Sequence, residues 1–355
     1  MRAITVRQPG GVEELMLADV EVPQPGAGEV RIAVAAAGVN RADLLQRRGF
    51  YPPPPGVSEI IGLEVAGVID AVGPASEDAC GTMGTGPEEP SPWSRPPQPG
   101  SGTTGTVPLV PQPGDQVVAL LAGGGYAEYV VVPVGQCAPL PQGIDLVTAA
   151  GLMETAATVV SNFDHIGVRA GETILIHGGA GGIGSFAIPY AKHLGLRVLT
   201  TVGSPDKGVH AHKLGADQAF DYHGDWAEQV RATTAGAGVD AILDIIGAKY
   251  LEANVSLLAR GGRMTVIGLQ GGTKGTLDLN RLLTRGATVT ATSLRFRPVA
   301  EKAEIVRQVA TRVWPLFESG AIPLPPMTTF PLSEAAAAHT LLESGQALGK
   351  IVLKM

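Results

Sequence analysis

Seven consecutive residues, Gly178-Gly179-Ala180-Gly181-Gly182-Ile183-Gly184, follow a strand-like run, Thr173–His177, and open an apolar helical stretch, Ile183–Leu194. Gly179, Gly181 and Gly184 fit the spacing G-x-G-x-x-G. Glycine is required for a different reason at each place. The first permits a tight turn, the second lets backbone approach a pyrophosphate, and the third lets the helix pack closely on the strand. The helix N-terminus then offers free N–H groups and the positive end of its dipole to phosphates. A glycine-rich turn alone is common, and a purely structural turn is the alternative reading. Its place between strand and helix points to a dinucleotide. Pro189, inside the predicted helix, removes one internal hydrogen bond and is expected to bend it.

The next strand decides which dinucleotide. An NAD site carries Asp or Glu at the tip of that strand, about 20 residues on, to hold the ribose 2′-hydroxyl. Here the run Arg197–Val202 ends in Gly203-Ser204-Pro205-Asp206-Lys207. No carboxylate stands at the tip. Gly203 leaves room, Ser204 can donate, and Lys207 supplies positive charge for a 2′-phosphate. Asp206 lies two positions further, where it faces solvent or caps the following helix. Tyr222, ending the third strand, is placed to cover the adenosine. The alternative for Ser204 and Lys207 is a helix start with a solvated lysine. The residues favour NADPH.

These residues need elements to hold them. Up to about residue 140 the apolar runs are short and alternating: Arg2–Val6, Glu29–Val34, Glu64–Val72 and Tyr129–Val132 read as strands of a compact β-barrel. One helix opens near Asn40, where Asn40 or Asp43 can cap it. From about residue 150 strands and helices alternate. Thr173–His177, Arg197–Val202, Gln218–Tyr222, Ala241–Asp244 and Arg263–Gly268 are separated by helical stretches, which predicts βαβ crossovers and a parallel sheet covered on both faces. After Ala287–Thr292 the pattern predicts one amphipathic helix, Val299–Phe317, then Met327–Pro331, a helix Ser333–Leu342 and the strand Lys350–Lys354. This last segment is expected to return to the barrel. The domains are therefore read as 1–148 with 292–355, and 149–291. Residues 75–113, dense in Gly, Pro, Ser and Thr, read as a surface loop, with a lid or docking segment as the alternative and Trp93 as its one large apolar anchor.

Composition narrows the function. The chain has 355 residues, 45% hydrophobic and 17% charged, with net charge −7. That excludes a disordered chain and argues against a general nucleic-acid or anionic-membrane binder. Two cysteines, Cys80 and Cys137, cannot build a disulfide framework or a Cys-rich zinc site. No apolar run approaches the ~18 residues of a membrane helix, and the first residues lack the h-region of a signal peptide. The expectation is a cytoplasmic enzyme.

Several stretches carry a family resemblance. They are Asn40-Arg41-Ala42-Asp43, Gly49-Phe50-Tyr51-Pro52-Pro53-Pro54-Pro55-Gly56, Gly62-Leu63-Glu64-Val65-Ala66-Gly67-Val68, Gly124-Gly125-Tyr126-Ala127-Glu128-Tyr129, Leu214-Gly215-Ala216-Asp217 and Gly349-Lys350-Ile351-Val352-Leu353. With the glycine turn they resemble the zinc-free quinone oxidoreductases of the medium-chain dehydrogenase/reductase superfamily, the branch that includes zeta-crystallin and the tumour-suppressor-inducible quinone oxidoreductase. They run in the family's order along the whole chain except the insertion. The resemblance implies an α/β fold: a GroES-like β-barrel domain plus a doubly wound parallel-sheet Rossmann domain, with NADPH in the cleft between them. It implies a homodimer or homotetramer. By position, Gly181, Gly182, Ile183, Gly203, Ser204, Lys207 and Tyr222 match cofactor-contacting sites. Gly268, Leu269, Ser293, Leu294, Arg295 and Lys350 match the nicotinamide end. The long loop and Pro189 depart from the family pattern.

Zinc-dependent members of the superfamily use a Cys near the start of the first helix and a His beside the Glu of the Gly-x-Glu stretch. The corresponding positions here are Asn40 and Leu63, and the seven histidines form no ligand-like cluster, so no metal is expected. Without zinc, reduction of an unactivated ketone lacks its Lewis acid. A quinone needs little such help, because added electrons restore aromaticity and spread the charge. The implied activity is zinc-independent NADPH:quinone reduction. Asn40 and Tyr51 are the candidate catalytic residues, Asn40 donating to a quinone oxygen and Tyr51 donating a proton or stacking on the ring. The alternatives are a helix cap and an ordinary loop aromatic. His177 is read as a structural donor and Cys137 as a buried spectator. A 2-enoyl-thioester reductase with Tyr51 as proton donor is the nearest rival. A non-catalytic, crystallin-like or RNA-binding protein is the third reading, for which only the Arg41, Arg47 and Arg48 cluster speaks.

Overall fold

The computed structural model describes residues 1–74 and 111–355, so Cys80, Trp93 and nearly all of the insertion lie outside the described residues. The chain opens with β1 (Arg2–Val6) and β2 (Leu15–Asp19), paired antiparallel. Then come β3 (Glu29–Val39), α1 (Arg41–Arg47), β4 (Glu64–Val72), β5 (Gln116–Leu120), β6 (Tyr129–Pro133) and β7 (Cys137–Pro139). Over Glu29–Val34 burial alternates residue by residue, as a strand with one face in a core requires. Its second half, through Val39, is buried on both sides and extends the strand five residues past the alternating run.

Two helices, α2 (Leu146–Ala149) and α3 (Met153–Ile166), lead into the second sheet. That sheet is built from β8 (Thr173–His177), α4 (Gly182–His193), β9 (Arg197–Val202), α5 (Pro205–Lys213), β10 (Gln218–Asp221), α6 (Trp226–Thr233), β11 (Val239–Asp244), α7 (Ala248–Leu257), β12 (Leu258–Val266), α8 (Leu279–Arg285) and β13 (Thr288–Ala291). All its strands are parallel, in the order β10-β9-β8-β11-β12-β13. Counted within this unit the order is 3-2-1-4-5-6, the doubly wound Rossmann arrangement, whose ligands bind where the order reverses, beyond the carboxyl end of the first strand. The glycine turn stands there.

The chain ends through α9 (Val299–Arg312), α10 (Trp314–Glu318), β14 (Met327–Pro331), α11 (Ala335–Ser344) and β15 (Lys350–Lys354). β15 pairs parallel with β14 and antiparallel with β3, completing a seven-stranded sheet with β4, β5, β6 and β7. The two sheets share apolar packing. One buried cluster contains Ala36, Ala66 and Leu120 of the barrel side together with Ile174, Ile176 and Phe186 of the Rossmann side, and α3 supplies much of what lies between.

One expectation is corrected. The predicted helix Val299–Phe317 is two helices, because Pro315 lacks the N–H that would continue the first and instead starts the second. Pro189 lies inside α4, which continues through it from Gly182 to His193. The residues around it, Phe186, Ala187, Ile188 and Tyr190, are all buried, and that packing holds the helix across the missing hydrogen bond.

Candidate active site

At the glycine turn, Gly178 takes the left-handed conformation at φ 77°, so the sharp bend falls one residue before the motif's first glycine. Gly179 is glycine for another reason: a Cβ there would overlap Thr200 on β9. A Cβ on Gly184 would overlap the backbone of Gly178 and Gly179, the helix-to-strand contact expected of the third glycine. Gly181 differs from both. It is exposed, and a Cβ there would meet no protein atom nearer than 3.7 Å. It is also the N-cap of α4 and has no side chain to cap the first turn, which carries no acidic residue. The protein leaves those N–H groups to an outside acceptor.

Beyond the tip of β9, Gly203 lies under Tyr222, whose hydroxyl would collide with any side chain at that position. Ser204 is the N-cap of α5 and accepts from the Lys207 N–H at 3.4 Å. The Lys207 ammonium rests on the Gly345 carbonyl, just past α11, and burial lowers its pKa. Lys207 is therefore engaged with the protein, and Tyr222 lies exposed against His223, ring centroids 4.5 Å apart.

The glycine turn is joined to the last strand. Gly349 donates to the Ala180 carbonyl at 3.0 Å and pairs with Gly181. The next residue, Lys350, passes beside Gly182, where a Cβ would come within 2.8 Å of its Cδ. Its ammonium is buried and donates to Glu64 Oε1 at 2.6 Å, Asn40 Oδ1 at 2.6 Å and the Val39 carbonyl at 3.4 Å. Asn40 Nδ2 donates to the same Glu64 oxygen at 3.0 Å, and the Glu154 N–H, in the first turn of α3, donates to the other at 2.9 Å. Four elements meet on Glu64. The Asn40 amide is turned inward at both ends, while its backbone N–H donates to Asp43 Oδ2 at 2.7 Å in a helix-start capping arrangement.

Tyr51 follows α1. Its hydroxyl lies 2.9 Å from Ser293 Oγ, its ring meets Phe296 edge-on at 5.3 Å, and the Arg295 guanidinium lies over the ring at 5.2 Å. Arg295 is buried and donates to the Ala122 carbonyl, the Tyr51 carbonyl and Gln46 Oε1 at 2.7, 3.0 and 2.8 Å, so its side chain clasps three segments. Burial raises the Tyr51 pKa, against the pull of Ser293 and Arg295. Gly268 is pressed on the Ile245 carbonyl, Leu269 is exposed, and Leu294 and Ile183 pack on the shared core. Across the same opening, Arg41 donates to Gln270 Oε1 at 3.2 Å.

Residue types and spacing did not single out Glu64, Glu154 or the chain behind Asp43. Asp43 Oδ2 accepts from the Tyr126 hydroxyl at 2.9 Å, which lies 3.2 Å from His339 Nε2. His339 Nδ1 in turn lies 3.2 Å from Arg47, which pairs with Glu343. Burial pushes the Asp43 carboxyl up to about 7 and His339 down to about 3. The signal for Glu64 was present in the Gly62-Leu63-Glu64 stretch. For Glu154, in an apolar Ala-rich helix, a lone acid in the first turn was the only sign. His177 is wholly buried between Thr201 Oγ1 at 3.0 Å and Asn254 Oδ1 at 2.8 Å, and burial lowers its pKa to about 4. Cys137 is buried, its thiol pushed up to about 12. A cavity of about 280 Å³ lined by Arg231, Arg281 and Arg285 contains none of the site residues.

This arrangement, a barrel-like sheet joined to a doubly wound parallel sheet with an uncapped glycine turn at its switch point, is that of a dinucleotide-dependent oxidoreductase. Residues 26–142 match the family described as alcohol dehydrogenase GroES-like domain, and residues 182–310 the family described as zinc-binding dehydrogenase. The chain is 31% identical to a quinone oxidoreductase of Pseudomonas aeruginosa, over 97% of this chain and 96% of that one. It is 30% identical to a 2-haloacrylate reductase of a Burkholderia species, over 99% and 98%. It also matches phthioceranic/hydroxyphthioceranic acid synthases of mycobacteria at 30%, spanning about 15% of their length. The Escherichia coli quinone oxidoreductase complexed with NADPH superposes with a TM-score of 0.82 at 26% identity, each chain covered in full. The chain belongs to the medium-chain dehydrogenase/reductase superfamily, in its quinone oxidoreductase-like branch.

Proposed function

We propose that the protein catalyses zinc-independent, NADPH-dependent reduction of quinones in the cleft between its two lobes. The observation that carries this reading is Gly181: an exposed, uncapped helix N-terminus where a side chain would meet no protein atom nearer than 3.7 Å, next to Gly182, which lies against the buried Lys350. Such a terminus fits a pyrophosphate. Gly181, Gly182, Ile183 and Gly184 would hold it, with Gly203, Ser204, Lys207 and Tyr222 around the adenosine end, Lys207 exchanging the Gly345 carbonyl for a 2′-phosphate. When bound, NADPH supplies two electrons and a proton as a hydride equivalent from its nicotinamide. Gly268, Leu269, Ser293 and Leu294 would border that end.

The chain's own residues do the rest. Arg295 fixes the Tyr51 backbone and ring, and Ser293 holds the Tyr51 hydroxyl oxygen in place; with Ser293 as the donor of that bond, the Tyr51 proton would be available to the acceptor. Asn40 acts through the Glu64–Lys350 cluster as a positioning residue. The zinc positions of the superfamily do not fit a metal here. Leu63 is aliphatic, and the Asn40 amide is committed to Lys350 and Glu64. Among the described residues no group of three or more His, Cys, Asp or Glu is placed to hold an ion.

The test is NADPH oxidation by purified protein across ortho- and para-quinones. No oxidation with any of them would sink the quinone assignment. The oriented Tyr51 hydroxyl also favours a second reading, reduction of an activated C=C bond with Tyr51 as proton donor, and faster turnover of crotonyl-CoA or a 2-haloacrylate than of quinones would select it.

A further inference from the structure

Away from the glycine turn, three arginines come to one cavity of about 280 Å³. It is lined by Arg231 on α6, Arg281 and Arg285 on α8, Ser256 on α7 and the loop glycines Gly236 and Gly238. No carboxylate is among its lining residues. Gly238 leads directly into β11, and Ser256 stands two residues before β12, so the cavity lies at the amino ends of these strands. The glycine turn follows the carboxyl end of β8 in the same parallel sheet. The two places are at opposite ends of the sheet.

Two of the arginines have a local reason to be there. Arg231 and Arg285 stand in the last turns of their helices, where a cation meets the negative end of the dipole. Arg231 donates to Ser256 Oγ at 3.2 Å, and Arg285 to the Leu258 carbonyl. Arg281 has no such reason. It is the third residue of α8, at the positive end of the dipole, and it shares a helix face with Arg285 four positions on. Its ion pair with Asp278, at 3.2 Å, is exposed, and so is that of Arg231 with Glu228, at 3.5 Å. Exposed pairs of this kind contribute little. Arg285 pairs with no carboxylate among the described residues.

Each guanidinium carries five N–H donors in a planar fork, and the protein takes only one or two from each. Three like charges around one cavity repel. A multiply charged oxyanion between them removes the repulsion and accepts the remaining donors, two from one guanidinium where the geometry is bidentate.

We propose that this cavity binds a phosphate group, as free pyrophosphate or as a small phosphate ester, at a site separate from the coenzyme's. The volume is that of several water molecules, enough for two linked phosphates or for one with a short organic tail. Arg281 and Arg285 reach the oxygens from one helix face and Arg231 from α6. The site is independent of the reductase reading, since none of its residues belongs to the glycine turn or the cleft.

The experiment is calorimetric titration of pyrophosphate and of glycerol 3-phosphate into the full chain at low salt, with and without saturating NADP⁺ to occupy the glycine turn. With NADP⁺ present, at least one of the two should bind at one site per chain with Kd of about 1 mM or below, and the tighter of them names the source of the phosphate. Added sodium chloride should weaken the binding. Arg281→Gln and Arg231→Gln should each raise that Kd about tenfold or more, the loss of a charge-assisted hydrogen bond. Gly181→Ala should leave it within about twofold. Arg2→Gln, which removes an exposed charge on β1, should do the same. No saturable binding of either probe overturns the proposal. Equal weakening by Arg2→Gln and Arg281→Gln also overturns it, because the attraction is then general. Binding that NADP⁺ abolishes while Arg281→Gln leaves it unchanged assigns the phosphate to the glycine turn and overturns the second site alone. If Arg281→Gln does not fold, Arg231→Gln decides by the same criterion.

Discussion

Lys350 Nζ lies 2.6 Å from Glu64 Oε1, with the lysine side chain 3% exposed and the glutamate 0%. The pair ties the last strand of the barrel sheet to β4 at the point where the glycine turn, α1 and α3 converge. Taking two charges out of water is repaid only with close geometry and further hydrogen bonds, and this pair has both.

Removing one partner should therefore be worse than removing both. Glu64→Gln or Lys350→Met alone should cost about 3–5 kcal/mol of stability, because each strands a buried charge. The double variant should recover part of that loss. Urea unfolding of the three variants checks it, and additive losses would mean the two residues are not coupled.

The glycines of the turn should separate by function. Gly184→Ala drives a Cβ into the backbone of Gly178 and Gly179 and should lower Tm clearly. Gly181→Ala meets no protein atom within 3.7 Å and should leave Tm nearly unchanged while weakening NADPH binding by about tenfold or more. Equal Tm losses with unchanged nucleotide affinity would remove the turn from the binding site.

Coenzyme choice should follow Ser204 and Lys207. The paired change Ser204→Ala, Lys207→Ala should raise KM for NADPH about tenfold or more and move KM for NADH far less, since only the former carries the 2′-phosphate these groups would meet. Parallel changes in both would refute the assignment.

His177 makes a pH-dependent contribution to stability. Its pKa falls from an ordinary value near 6.5 to about 4 in the fold, so between these values the unfolded chain binds more protons. The stabilisation is full above about 6.5 and is lost as pH falls toward 4, by roughly 3 kcal/mol in all. Asp43 and Glu154, raised to about 7, act with the opposite sign as pH rises through that range. The wild-type minus His177→Gln difference in urea stability isolates the histidine. A difference that does not change with pH would contradict a buried neutral imidazole.

Most of the architecture was legible because it rests on local patterns. The alternation of strand and helix from Thr173 onward and the spacing of Gly179, Gly181 and Gly184 mark a parallel sheet and its phosphate turn. Arg197–Val202 coincides with β9. Local rules failed at Pro315, where an apolar periodicity continues past a break in helical hydrogen bonding. The site was legible in part. Asn40 read as a donor to substrate, yet its amide faces Glu64 and Lys350, a contact between residues 310 positions apart in one case. Glu154 carries no motif of its own, and its place in the cluster shows only in the N–H it donates to Glu64, 90 positions away.

The bond from Gly349 to Ala180 joins β15's lead-in to the Rossmann turn across almost half the sequence. As a ribosome delivers this chain, the parallel sheet can assemble long before residue 349 has been made, but its phosphate loop then lacks both that brace and the lysine beside it. Coenzyme capture thus becomes a late event, withheld until the barrel closes around its final strand.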